Sequence, residues 1–282
     1  MFLAACAALS IAITVGIVAV LAVETISFFR EVPLSAFLTG LKWEPLFEPR
    51  SFGIWPLVAG TMWVTVGAGL VGMPAGLGIA VFLNEYSPRR FALVVKPAME
   101  LLAGVPTVVY GYFAVSTVTP WLKTVLPSVE IFNAASAAIV VGIMILPMIA
   151  SLCDDALRAV PRSLKDAGYA LGATKFEVTA QVTVPAALSG IVAAFILALS
   201  RAIGETMAVT LAAGSSPKLT LNPFESMQTL TAYIVQVSLG DTPDGTVEYR
   251  SILAVGTVLF IVTLAFNLLA HRLVQRFRSV YE

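Results

Sequence analysis

The sequence is short of the residues that usually carry chemistry. Its 282 positions hold one histidine, two cysteines and only 12% charged residues, with 17 Lys and Arg against 17 Asp and Glu. The single histidine, His271, has no clustered ligand partners, so a histidine-based metal centre is excluded, and interaction with a helix C-terminus is role enough for it. Cys6 and Cys153 fall near the same side of the chain's helices, in reducing surroundings, and give no disulfide framework. A net charge of zero points to no polyanionic partner, hence no nucleic acid. No Gly-x-x-x-x-Gly-Lys-Ser/Thr loop occurs anywhere. What remains is apolar: 58% hydrophobic residues and a mean hydropathy of +0.90 belong to an integral membrane protein, not to a soluble domain of this length.

Six stretches are long enough for a hydrocarbon core that takes about 20 helical residues. They lie near Phe2 to Phe28, Leu57 to Leu83, Val94 to Val118, Ala134 to Leu152, Leu188 to Ala213 and Ile252 to Leu269. The first is too long for a signal-peptide core and reads as a retained anchor. With six spans, Arg89, Arg90, Lys96, Arg158, Arg162, Lys165, Lys175, Arg272, Arg276 and Arg278 fall on one side, and Arg30, Lys42, Arg50, Lys123, Lys218 and Arg250 on the other. The positive-inside rule makes the first side cytoplasmic, together with both termini. The expected architecture is an all-α, polytopic membrane bundle forming a single domain over residues 1–282. Extracytoplasmic loops run over about 30–56 and 214–250, and a cytoplasmic segment over about 153–187. The first loop carries Trp43, Phe47, Phe52 and Trp55, rings that favour the headgroup level. The second has Met227, Leu230, Ile234 and Val237 at helical spacing, either a plug or partner contact or a cap packed on the bundle.

Ser163 to Pro185 is an ordered polar segment between two apolar helices. Ser163 precedes Asp166 by three residues, and Thr174 precedes Glu177 by three, the spacing at which a hydroxyl caps backbone N–H groups while the carboxylate reaches back. Gly172 stands between them where a left-handed turn is wanted. The pattern predicts helices over about Leu164 to Leu171 and Lys175 to Thr183. Leu164, Ala167 and Leu171 share one face of the first, and Phe176 and Ala180 one face of the second. A docking element and a hairpin lying on the membrane fit this spacing equally.

Arg201 stands midway along the fifth span, roughly 18 Å from either end at about 1.5 Å per residue. An arginine at such depth costs at least about 2.5 kcal/mol and must face protein or a water-filled cavity. Glu205, one turn on, can pair with it. A structural pair would lock the bundle; a functional pair would release the guanidinium fork to an anion, the default for ionisable groups inside a membrane. Gly104-Val105-Pro106 and Tyr110-Gly111 interrupt the third span and Pro147 the fourth, breaks that suit a permeation route and occur in other bundles too.

Asp166-Ala167-Gly168, Gly172, Val182 and Val184-Pro185 resemble the cytoplasmic "EAA" loop of ABC importer permeases, with Asp for the usual Glu and Gly for the second Ala. Phe52-Gly53-Ile54-Trp55-Pro56-Leu57, Leu101-Leu102-Ala103-Gly104-Val105-Pro106 and the run from Arg201 to Val209 resemble phosphate importer permeases of the PstC type, from about Phe52 to the last span. The continuation Thr206-Met207-Ala208-Val209 favours that type over PstA. Relatives usually carry a basic leader, where this chain starts almost inside its first helix. The resemblance implies a type I importer fold and a transport subunit that binds no cofactor itself. ATP and magnesium would belong to two PstB-type ATPase subunits gripping Leu164, Asp166, Ala167, Gly168, Leu171, Gly172 and Pro185. A PstA-type permease would supply the other half of the path, a PstS-type extracytoplasmic protein would deliver phosphate, and Arg201 and Glu205 would act in its translocation. The hairpin says nothing about cargo, so sulfate or molybdate stays open, as does an ATP-independent channel or secondary transporter.

Overall fold

A computed structural model describes residues 2–240, 242–243 and 245–277. Arg278, expected among the cytoplasmic cations, lies outside them, and so do the side chains of Arg89, His271 and Arg276.

Four helices are each long and apolar enough to cross a membrane, and two bent pairs bring the number to six. The first helix, α1 (Phe2–Glu31), is followed by a short α2 (Leu34–Thr39) and a hairpin of β1 (Trp43–Glu44) and β2 (Ser51–Phe52). The hairpin strands pair antiparallel, Trp43 opposite Phe52. Next comes α3 (Trp55–Val81), whose last turn widens over Phe82–Tyr86, where the Ser87 N–H donates to the Phe82 carbonyl five residues back at 2.8 Å. The third span is divided. An amphipathic α4 (Arg89–Ala103) meets the run α5 (Thr107–Phe113), Ala114–Val118 and α6 (Thr119–Val125) at 89°.

The long α7 (Ala134–Arg158) is capped by Asn133, whose Oδ1 accepts from the Ser136 N–H at 2.7 Å. It leads to α8 (Arg162–Ala170), α9 (Lys175–Glu177), a wide turn over Val178–Thr183 and α10 (Val184–Ala186). A 69° bend then opens α11 (Leu188–Ile203). After a break come α12 (Met207–Ala212), α13 (Leu230–Ser238) and α14 (Val247–Phe277).

The centre is α3 against α7. Ala68, Gly72, Gly76 and Ala80 face Val141, Ile145 and Ile149, and a Cβ on Gly72 would stand 2.9 Å from the Gly142 carbonyl oxygen. Between lipid-solvated helices burial of apolar surface drives little, so close backbone approach through small residues is what holds the pair. Between α1 and α14 a polar link adds to the apolar cluster that Phe28 shares with Ile252, Ala254 and Val255: Thr25 and Thr257 share a hydrogen bond of 2.7 Å.

The segment between α1 and α3 folds back onto the bundle. Trp43 is fully buried and lies edge-to-face with Tyr233 of α13 at 4.9 Å, while Phe28, Phe37 and Phe52 complete the cluster. The expectation of four interfacial rings is thus corrected: Phe47 and Trp55 are exposed, but the β-hairpin turns Trp43 and Phe52 onto the bundle. Of the four residues at helical spacing, Leu230, Ile234 and Val237 lie in α13, with Leu230 and Val237 buried and Ile234 partly so; Met227 is buried but precedes the helix, which starts after the Thr229 cap.

Ion pairs keep the two sets of cations apart. Lys96, Arg158 and Lys165 pair with Asp154 and Glu85 at one end of the bundle. Arg50, Arg250 and Lys218 pair with Glu248, Glu31 and Glu130 at the other.

Candidate functional site

A cavity of about 390 Å³ opens between α4, α5, α7 and α11. Met144 and Asp154 both line it, ten residues apart on α7, so it runs for about 15 Å along that helix. Arg201, on the last turn of α11, is exposed and borders the same space with Met144, Pro147 and Thr107.

The predicted pairing of Arg201 with Glu205 is overturned. The helix ends at Ile203 with Gly204 as its cap, so the two residues do not share a helical face. Glu205 turns the other way, 6% exposed, and its Oε1 accepts from the Ala208 N–H at 3.3 Å in the first turn of α12. Its carbonyl takes the Thr231 hydroxyl at 2.9 Å. No ion pair involves Arg201 among the described residues. The i, i+4 rule failed because it assumes a continuous helix.

Of the predicted breaks, one is where the spacing put it. Gly104 caps α4 and Pro106 precedes α5, whose first residue Thr107 lines the cavity. Tyr110-Gly111 does not interrupt anything: both are buried within α5, and a Cβ on Gly111 would meet Leu211 Cβ of α12 at 2.9 Å. Pro147 does not break α7 either. It is buried in a continuous helix and forms cavity wall, the one lost N–H being tolerated inside packed protein.

The segment after α7 is a helical hairpin. The Thr174–Glu177 box is formed, with the Thr174 N–H donating to Glu177 Oε2 at 2.7 Å and its hydroxyl to the same oxygen at 2.8 Å. These donors hold the Glu177 carboxyl below its ordinary range. Gly172 makes the turn at φ +83°, a conformation costly for any residue with a Cβ. The Ser163 cap is corrected: Pro161 ends the preceding turn, α8 begins at Arg162, and Ser163 and Asp166 lie inside it. The predicted shared face splits as well. Leu164 packs toward the bundle core, whereas Asp166, Ala167, Leu171 and Phe176 are exposed. Gly168 lets α8 sit on Val178, and Pro185 is exposed at the start of α10.

One cluster escaped sequence reasoning. Asp154 is almost fully buried at the cavity wall; it takes the Asn84 amide at 3.1 Å, the Lys96 ammonium and Arg158 Nε at 3.1 Å. Next to Asn84, Glu85 accepts Lys165 of α8 at 2.5 Å. The one local sign was the i, i+4 spacing of Asp154 and Arg158; the partners from α3, α4 and α8 are distant in sequence.

A helical break, an arginine with no carboxylate partner among the described residues and an exposed hairpin between candidate spans are the parts of a permease. Residues 72–279 match the model of the binding-protein-dependent transport system inner membrane component family. The chain belongs to that family. This permease is 34% identical to the probable ABC transporter permease protein YqgH of Bacillus subtilis, over 98% of this chain and 90% of that protein. It is 32% identical to the phosphate transport system permease protein PstC of Mesorhizobium japonicum, over 86% of this chain and 78% of that one. In fold it is similar to a chain of the methionine ABC transporter MetNI in an inward-facing form, with TM-score 0.63 and 20% identity over 80% of this chain and 98% of that. A chain of a bacterial alginate ABC importer gives TM-score 0.60 and 16% identity, over 93% and 96%. The permease has the type I ABC importer fold and is a multi-pass inner-membrane transport component.

Proposed function

We propose that the chain is the permease subunit of an ATP-driven inorganic phosphate importer, forming half of the translocation path with a second, PstA-type permease. The end bearing the α8–α10 hairpin faces the cytoplasm, with both termini, because ten of the chain's cations were counted on that side. Two PstB-type ATPase subunits, which hold ATP and magnesium, grip the exposed surface of Asp166, Ala167, Leu171 and Phe176, and a PstS-type protein delivers phosphate to the outer face.

The observation that carries this reading is Arg201, with no carboxylate partner among the described residues, at the deep end of the cavity. Its guanidinium can meet two oxygens of an anion at once. The positive end of the helix that starts at Thr107 lines the same space and favours the same sign. Toward Lys96 the wall changes sign, since Glu100, Asp154 and Asp155 outnumber Lys96 there. An anion is therefore held at Arg201, and the more acidic wall toward Lys96 is a barrier it crosses on leaving. Glu205 serves translocation indirectly, by fixing the start of α12 just beyond Arg201.

The cargo reading draws support from the PstC relatives. A permease for sulfate or molybdate is the second reading, since one arginine suits any of these anions. Radiolabelled uptake by the complete complex in proteoliposomes tests both. Phosphate uptake that excess sulfate or molybdate leaves intact supports the first; free displacement by either sinks it.

A further inference from the structure

The cluster around Asp154 has a second neighbour, the hairpin. Lys165 on α8 pairs with Glu85, both side chains largely buried, at 19% and 8% exposure. Glu85 and Asn84 are consecutive in the widened turn that ends α3. From that one turn Asn84 reaches Asp154 on α7 and Glu85 reaches Lys165 on α8, and Asp154 holds Lys96 at the cavity. Two hydrogen-bonded links, joined through the backbone between Glu85 and Asn84, therefore connect the hairpin to the cavity wall. Lys175 lies over the Tyr86 ring at 5.0 Å and ties the second arm of the hairpin to the same turn.

We propose that Lys165, Glu85, Asn84 and Asp154 are positioning residues that convert displacement of the hairpin into displacement of Lys96, and so set how wide the inner mouth of the cavity stands. This rests on the proposed coupling to an ATPase. Glu85 and Asn84 are neighbours in one turn, so Glu85 cannot move with the hairpin through Lys165 without dragging Asn84 on Asp154. Free slippage of the hairpin would need the Glu85–Lys165 pair to open in a site that water barely reaches, a step that leaves a buried charge uncompensated.

The test is the number of ATP molecules hydrolysed per phosphate taken up, measured on the full complex in proteoliposomes. Glu85→Lys and Lys165→Glu should each raise that ratio about fivefold or more, and the doubly reversed pair should return it toward the wild-type value, as should Lys165→Arg alone. Glu85→Gln and Lys165→Gln carry the question if the reversed pair fails to assemble: they should raise the ratio each, and together no more than singly. Asn84→Ala should uncouple with the hairpin contact intact. An unchanged ratio in the single variants, or additive losses in either double, overturns the inference. A wild-type complex that takes up phosphate without hydrolysing ATP would instead overturn the functional reading beneath it.

Discussion

Arg201 and Asp154 line one cavity, and the fold treats them in opposite ways. Asp154 has three donors from three elements and is almost completely enclosed. Arg201 is exposed and has no carboxylate partner among the described residues. A carboxylate already satisfied by its surroundings has little capacity left for a passing ion, and removing it mostly exposes its partners to one another. A guanidinium with its fork free is costly to the fold on its own and is retained only if something else makes use of it. The first is committed to its neighbours; the second, under the proposed function, is the group that meets cargo.

The largest expected effect falls on the free group. Arg201→Ala should abolish anion uptake while the variant still assembles with its partners, as read by radiolabelled uptake and co-purification; full activity would make Arg201 scaffold too. On the saturated side, Asp154→Ala should lower stability by about 2 kcal/mol, the worth of charge-assisted hydrogen bonds, moderated because Lys96 and Arg158 keep partial access to water. Thermal unfolding of the purified complex checks it, and an unshifted transition would erase the contrast. Gly172→Val has no steric obstacle nearby, so its cost is conformational, about 1 kcal/mol, and should appear as weakened transport-linked ATP hydrolysis.

The hairpin also has a pH limit. The Glu177 carboxyl is held below its ordinary value of 4.5, so its contribution to the turn is complete above that value and is lost as pH falls through the lowered one. Amide exchange at Thr174 and Glu177 should quicken in acid buffers; exchange indifferent to pH, after correction for its intrinsic rate, would remove the box from the account. The smallest effect belongs to Glu205→Gln, which keeps an acceptor for the Ala208 N–H and should leave most uptake intact. Uptake lost as fully as with Arg201→Ala would restore the ion pair that the geometry denies.

Much of the fold was legible because lipid imposes simple rules. Long apolar runs marked the spans, and the Thr174–Glu177 box and Gly172 turn were read from local chemistry and stand as read. The misreadings share one cause. The Arg201–Glu205 pair, the Ser163 cap and the breaks at Gly111 and Pro147 were inferred by extending a local rule across positions where tertiary packing decides whether the helix continues. Gly204 ends α11 one residue before the pairing rule needs it to continue, and Pro147 is absorbed because packed neighbours surround it. Trp43 departs from the interface for the same reason: a two-residue strand pairing carries it onto Tyr233.

By itself the sequence determined that this protein lives in a membrane, roughly where it crosses, and that a capped helical hairpin stands between two of the spans. Hydrophobic run length and capping are properties of neighbouring residues, so no contact at a distance is needed to read them. Only the tertiary structure decided which charges are committed and which are free. Asn84, Lys96 and Lys165 come from three separate elements, and a charge inside a low-dielectric bundle is defined by whatever the packing places within hydrogen-bond reach of it.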